Sequence, residues 1–186
     1  RADLPLARLA EGHTDAVAIL RELGGSPHRH ACYGVWAARP GGVGAELDGE
    51  PRRLTGTVRF CSGARDLDRA LVVAAAPEGM RLVDLALDQP GVHPVEGSWA
   101  APGMRASDTS EVLFDQCRIP IVQQLGDEGQ GFVNTMQVLD AGRIGIAALS
   151  VGLAQGAYEA ALRYARERKA FGKTIGDFQA IQWKLA

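Results

Sequence analysis

Residues 129–174 read GQGFVNTMQVLDAGRIGIAALSVGLAQGAYEAALRYARERKAFGKT, and this stretch decides the fold. Its pattern is helical, and the spacing predicts one helix from about Gln130 to Arg168. Phe132, Met136, Leu139 and Ile144 fall near one face, followed by Ala147, Ala148, Gly152, Ala154 and Ala157. Side chains that small let a second helix approach closely, so the face reads as part of a bundle. Ala170-Phe171-Gly172-Lys173 breaks the pattern, and a further helix is expected over Ile175–Ala186.

Outward from this stretch the character changes. Between residue 32 and about 120 lie short apolar runs: Tyr33–Ala38, Leu54–Phe60, Ala70–Ala76, Met80–Leu87 and Val112–Phe114. Pro-Gly, Asp-Gly, Glu-Gly and Gln-Pro-Gly turns separate them, and Asp48-Gly49 signals a hairpin. Such spacing predicts a small antiparallel sandwich or barrel. Further upstream, Asp3 can cap a helix, Pro5 suits its first turn, and Gly24-Gly25 stops it. Leu6, Leu9, Ala10, His13, Val17 and Leu20 would form its apolar face. The expected class is α+β: an N-terminal helical segment (1–25), a middle β-domain (26–122), then the long helices of a truncated four-helix bundle (123–186).

Composition bounds the function. The 186 residues are 46% hydrophobic and 23% charged, which argues against disorder. Lys and Arg number 20 against 22 Asp and Glu, so the chain has no basic excess for nucleic acid and no polybasic tract for a membrane. The longest apolar run, Ala70–Ala76, is too short to span a bilayer. Cys32, Cys61 and Cys117 are widely spaced and odd in number, which implies a reducing, cytoplasmic setting. The opening on Arg1 and the ending on Ala186 within a helical pattern read as a fragment.

No nucleophile elbow, dinucleotide fingerprint or phosphate loop is present. His28, His30 and Cys32 alternate, yet a metal site there lacks a further ligand. Two clusters stand out. Phe60-Cys61-Ser62-Gly63-Ala64 ends an alternating run, where a ring could stack on a planar ligand and a hydroxyl could donate to it. Arg166-Glu167-Arg168-Lys169 precedes Phe171-Gly172, and cations there suit a helix C-terminus. Each cluster by itself also reads as an ordinary strand end or a solvated helix end.

Longer motifs give the clusters a context. Leu125-Gly126-Asp127-Glu128-Gly129-Gln130-Gly131-Phe132, Leu139-Asp140-Ala141-Gly142-Arg143-Ile144-Gly145-Ile146-Ala147-Ala148, Gly152-Leu153-Ala154-Gln155 and Arg168-Lys169-Ala170-Phe171-Gly172-Lys173, with Gln179 and Gln182, follow in order. Together they resemble the acyl-CoA dehydrogenase family, most closely its short-chain branch. Gly103-Met104-Arg105-Ala106-Ser107-Asp108-Thr109 and Phe114-Asp115-Gln116-Cys117-Arg118-Ile119-Pro120 resemble the end of that family's middle domain. The likeness runs over roughly residues 54–186.

The resemblance implies a helical domain, a β-barrel domain and a four-helix domain around FAD, and α,β-dehydrogenation of an acyl-CoA thioester. A carboxylate takes the α-proton while a hydride leaves for the flavin, so both must be held close to the substrate. Phe60-Cys61-Ser62 stands where the family has a Trp-Ile-Thr-like motif: Phe60 would pack on the flavin and Ser62 bond near N5. Trp36-Ala37-Ala38-Arg39-Pro40 falls where the family has Cys-Val-Thr-Glu-Pro. It matches outright only at Pro40, and Ala38 lacks the hydroxyl expected at the flavin edge. Asp140 and Arg143 match positions that touch the CoA part of the substrate, with a helix salt bridge as the competing reading of Arg143. Arg168, Lys169, Phe171 and Gln179 match the segment that grips the FAD pyrophosphate and adenine side across a subunit interface, which implies a homodimer or homotetramer. An electron-transfer flavoprotein is the implied acceptor.

One position departs from the pattern. A branch of the family carries its catalytic Glu one residue before the matched Arg, and here that residue is Gly142. In most members the Glu comes later than this stretch, so no catalytic residue is assignable. Two alternatives therefore stand beside the dehydrogenase: a non-catalytic CoA-binding or assembly module of the same ancestry, and a flavin-dependent oxidase or monooxygenase on the same fold.

Overall fold

The computed structural model describes residues 3–186. The chain falls into two compact units, residues up to 143 and residues 144–186.

The first unit begins with α1 (Leu4–Glu22). Asp3 caps it by accepting the Leu6 N–H at 3.1 Å, and Pro5 sits in the first turn. At the far end Gly24 adopts φ +72°, while Gly25 N–H returns to the Leu20 carbonyl at 2.8 Å. Cap and stop therefore act where expected. The buried stripe does not. Asp15, Ala16, Ile19 and Leu20 face inward, whereas Leu6 is 65% exposed. The inward face is set by what α1 packs against, namely Tyr33, Leu71, Val73 and Leu82 of the sheet.

The sheet holds β1 (Tyr33–Trp36), β2 (Ala45–Asp48), β3 (Arg53–Cys61), β4 (Arg69–Ala76), β5 (Gly79–Ala86), β6 (Val92–Pro94), β7 (Ser110–Arg118) and β8 (Gln124–Leu125). Its order is β6-β7-β3-β2-β4-β5-β8, with β1 also on β4. The Asp48-Gly49 hairpin is present, pairing β2 with β3 from Asp48 opposite Arg53. The sheet is mixed, not purely antiparallel, and does not close into a barrel. Both β1 and β2 run parallel to β4, Tyr33–Trp36 against Arg69–Val72 and Ala45–Glu46 against Ala74–Ala75. They are two pieces of one run along one edge of β4, and the Pro40-Gly41-Gly42 turn interrupts it. Arg39 closes this interruption by donating to the Ala45 and Gly42 carbonyls at 2.6 and 2.8 Å. One face of the sheet buries Trp36, Leu47, Leu54, Val72, Leu85 and Phe114; the other packs on α1.

The long helix α2 (Gly131–Glu167) matches its expected bounds within a residue at each end. Its first residue sits tightly on β5: a Cβ on Gly131 would lie 2.4 Å from the Arg81 carbonyl carbon. In the second unit, β9 (Lys169–Ala170) and β10 (Lys173–Thr174) form a short hairpin after α2, followed by α3 (Gln179–Leu185). Tyr158 donates its hydroxyl to the Leu185 carbonyl at 2.9 Å, tying α3 to α2. Among the described residues, no single helix is long and apolar enough to cross a membrane.

Candidate functional site

The first unit builds its site at the end of β3. The register of β3 on β7 runs from Val58–Val112 to Cys61–Ser110, so β3 spends one residue more than its partner. That bulge bends the strand and re-aims a side chain. The side chain is Phe60, which takes φ +61° and stands 61% exposed. A left-handed backbone costs a non-glycine residue about 1 kcal/mol or more, and such strain collects at functional positions. Cys61 turns the opposite way, wholly buried in the sheet core. Burial pushes its thiol far above the ordinary range.

Phe60 lines a cavity of about 330 Å³ with Trp99 and Thr109. Trp99 is anchored by donating its indole N–H to the Met104 carbonyl at 3.2 Å. Thr109 carries a chain of hydroxyls: its Oγ1 lies 3.2 Å from Ser62 Oγ and 2.8 Å from Ser107 Oγ, and Ser107 donates to the Met104 carbonyl. Next door, Asp108 is clamped by Arg65 at 2.6 Å and by the Ser110 hydroxyl at 2.6 Å. Trp36, 1% exposed, donates its indole N–H to the Ser62 carbonyl at 3.2 Å. It is a core residue that fixes Ser62 from behind. Ala38 is half-buried in the segment after β1. Phe60 and Thr109 thus line one cavity; Ser62 and Ser107 reach it only through their hydrogen bonds to Thr109, and Trp36 and Cys61 are buried in the sheet core. Trp99, Ser107 and Thr109 were given no role from sequence. The motif Ser107-Asp108-Thr109 was the available signal.

Farther along this unit, Asp140 and Arg143 pair with each other at 3.0 Å, both well exposed on α2. A Cβ on Gly142 would lie 2.8 Å from both carboxylate oxygens of Asp15. The Asp15 side chain therefore fills the place into which a residue-142 side chain would grow.

In the second unit, Phe171 and Gly172 both take positive φ, +52° and +83°. These are the requirements of a two-residue type I′ turn. The turn leaves Phe171 96% exposed, edge-on to Phe178 with centroids 6.4 Å apart. Lys173 Nζ sits 4.3 Å over the Phe178 ring. Arg168 is held by its backbone between the Tyr164 carbonyl and the Ile175 N–H, each bond 2.8 Å. Arg168, Lys169, Phe171 and Gln179 all gather at the hairpin and the start of α3 and are exposed.

Residues 129–186 match the family model of the acyl-CoA dehydrogenase C-terminal domain. The chain is 36% identical over 153 residues to the human mitochondrial short-chain specific acyl-CoA dehydrogenase, a match covering 76% of this chain and 35% of that one. Among solved structures, butyryl-CoA dehydrogenase from Megasphaera elsdenii superposes with a TM-score of 0.84 at 24% identity, covering 98% of this chain and 54% of that one. That likeness speaks for the fold. A glutaryl-CoA dehydrogenase from Mycobacterium smegmatis, solved in complex with FADH2, gives a TM-score of 0.68 at 27% identity, covering 83% and 42%. A mixed sheet feeding a long helix, with these motifs in this order, defines the class: the chain belongs to the acyl-CoA dehydrogenase family. It spans about a third of the length of the curated relative.

Proposed function

We propose that the protein containing this chain carries out FAD-dependent α,β-dehydrogenation of acyl-CoA thioesters. The observation behind this reading is the bulge that holds Phe60 open beside a cavity whose wall carries Thr109, itself hydrogen-bonded to Ser62 and Ser107. A flat ring system with a polar edge suits such a place, because one side chain offers a face and the others offer donors. FAD, when bound, supplies the acceptor for the substrate hydride. Phe60 stacks on it, Ser62 and Thr109 donate to its polar edge, and Trp36 positions Ser62 through the backbone. Cys61 contributes by filling the core under the bulge. Arg168 and Lys169 bind pyrophosphate, with Phe171 and Gln179 beside them, from a second copy of the chain in a homodimer or homotetramer. Arg143 and Asp140 face the CoA portion, and an electron-transfer flavoprotein takes the electrons.

A second reading is favoured by one observation. Gly142 is closed off by Asp15, so position 142 cannot present a catalytic carboxylate. A non-catalytic module of the same ancestry would accept that arrangement.

The test uses the full-length protein. The dehydrogenase reading expects bound flavin that bleaches on anaerobic addition of a short acyl-CoA. Arg168→Ala should release flavin more readily than Arg143→Ala, which should instead weaken acyl-CoA binding. Full-length protein that binds acyl-CoA without flavin supports the non-catalytic module, and equal flavin loss in the two variants removes the assignment of Arg168.

A further inference from the structure

The end of the sheet opposite Ser62 holds a buried arginine that no carboxylate among the described residues contacts as an ion pair. Arg81 follows the alternation of β5 and shares the core-facing side with Val83 and Leu85. It is 7% exposed, so the residue is more than nine-tenths buried. Its Nε and Nη1 have no hydrogen-bond partner among the described residues, and Nη2 reaches Gln124 Oε1 only at 3.4 Å. No carboxylate of the described residues forms an ion pair with it. An unpaired buried charge is strongly unfavourable, and a guanidinium is best satisfied by a carboxylate.

In front of Arg81 lies a cavity of about 430 Å³, within the range of small-molecule sites. Its wall is apolar where Pro51, Ile119, Pro120 and Ile121 contribute; Ile119 is buried and Ile121 open to solvent. Arg52 is already committed to Glu78 at 2.8 Å. The Glu78 carboxyl is held below its usual range by its own backbone N–H, then by Arg52, with a weaker pull from Arg81, so it stays ionised. Glu50 and Glu128 are exposed at the rim, and Arg118 is exposed opposite them. With Arg52 committed to Glu78, the lining leaves buried Arg81, a hydrocarbon wall, and a mouth of mixed charge where Arg118 meets Glu50 and Glu128. Phosphate meets Arg81 but leaves the wall unused, whereas a single carboxylate on a short hydrocarbon body meets both the arginine and the wall.

We propose that this cavity is a binding site for a short-chain monocarboxylate, seated with its carboxylate on Arg81 and its hydrocarbon body on Ile119 and Ile121. The site is separate from the Phe60 cavity by the length of β3, nine residues or about 30 Å. It does not depend on whether the chain binds flavin.

The test is calorimetric titration of the full-length protein with pentanoate, with inorganic phosphate as control. Saturable pentanoate binding near about 1 mM is expected, with phosphate at least tenfold weaker. Excess pentanoate should raise Tm by about 3 °C. Arg81→Met keeps volume without the charge and should abolish the response while remaining folded. Glu78→Gln removes a rim charge and frees Arg52, so it should tighten pentanoate binding several-fold; this variant decides if Arg81→Met does not fold. Pentanoate heat that persists in Arg81→Met, phosphate binding equal to pentanoate, no saturation by about 20 mM, or no tightening in Glu78→Gln would each overturn the assignment.

Discussion

The two units of the chain bury their apolar residues to opposite degrees. In the first, Trp36, Leu47, Leu54, Val72, Leu85 and Phe114 are sealed between strands. In the second, Val151, Leu153, Tyr164 and Trp183 stand exposed on α2 and α3. All buried charged and polar side chains among the described residues also precede residue 143: Asp15, Arg81, Asp84, Ser107, Ser110 and Thr135. The first unit holds its shape by internal packing, while the second displays an apolar surface of the kind that marks an interaction site. The contrast separates two kinds of residue in the candidate site. Phe60 and Ser62 adjoin a buried core, whereas Arg168 and Phe171 are exposed at the hairpin that follows α2.

The sharpest way to break that contrast is to truncate one residue in each unit of the full-length protein. Phe114→Ala should destabilise by about 3–5 kcal/mol in denaturant melts, the cost of emptying a packed aromatic site. Leu153→Ala should stay within about 0.5 kcal/mol if its surroundings match those seen here. A large cost at Leu153 would show that its face is covered in the whole protein.

Two glycines of the same helix offer a smaller version of the experiment. Gly142→Glu pushes a side chain into the Asp15 carboxylate and should cost about 1–3 kcal/mol. Gly152 has nothing within 4 Å of where its Cβ would be, so Gly152→Glu should gain about 0.5–1 kcal/mol from helix propensity. Thermal melts of both variants check the pair; loss at both positions would place a partner surface on residue 152.

What the sequence disclosed follows from how local each feature is. Asp3, Pro5 and Gly24 act within a turn of themselves, and Asp48-Gly49 needs only its own backbone, so these were legible. Pairing direction was not, because β1 and β2 meet β4 only after the chain has passed through β3. At Phe171-Gly172 the break between helices was legible but the hairpin was not, since phenylalanine at positive φ is no turn signature. In the candidate site, the motif Phe60-Cys61-Ser62 was singled out through its resemblance, and the structure sets Phe60 in a cavity wall. The hydroxyl chain through Thr109 and Ser107 was not legible, because a strand and a distant loop create it. Asp15 was hidden for the same reason: its burial depends on Gly142, far along the chain.

Charge burial in the first unit carries a pH consequence of its own. Glu11 sits one turn before Asp15 on α1, and burial raises its carboxyl above the ordinary range; Asp15 adds to the rise, while the ion pair with Arg8 opposes it. An acid whose folded pKa is raised favours folding fully below its unfolded pKa and loses that contribution as pH climbs through the folded value. Glu11→Gln removes the group that loses out. The Tm of the variant relative to wild type should therefore be more favourable at about pH 7 than at about pH 4, by no more than a few degrees. Losing the ion pair with the partly exposed Arg8 works against this, by an amount that is small for a partly solvated pair. A variant relatively worse at neutral pH would mean that Arg8 outweighs burial, and that the α1 carboxyls belong with the solvated charges of the second unit.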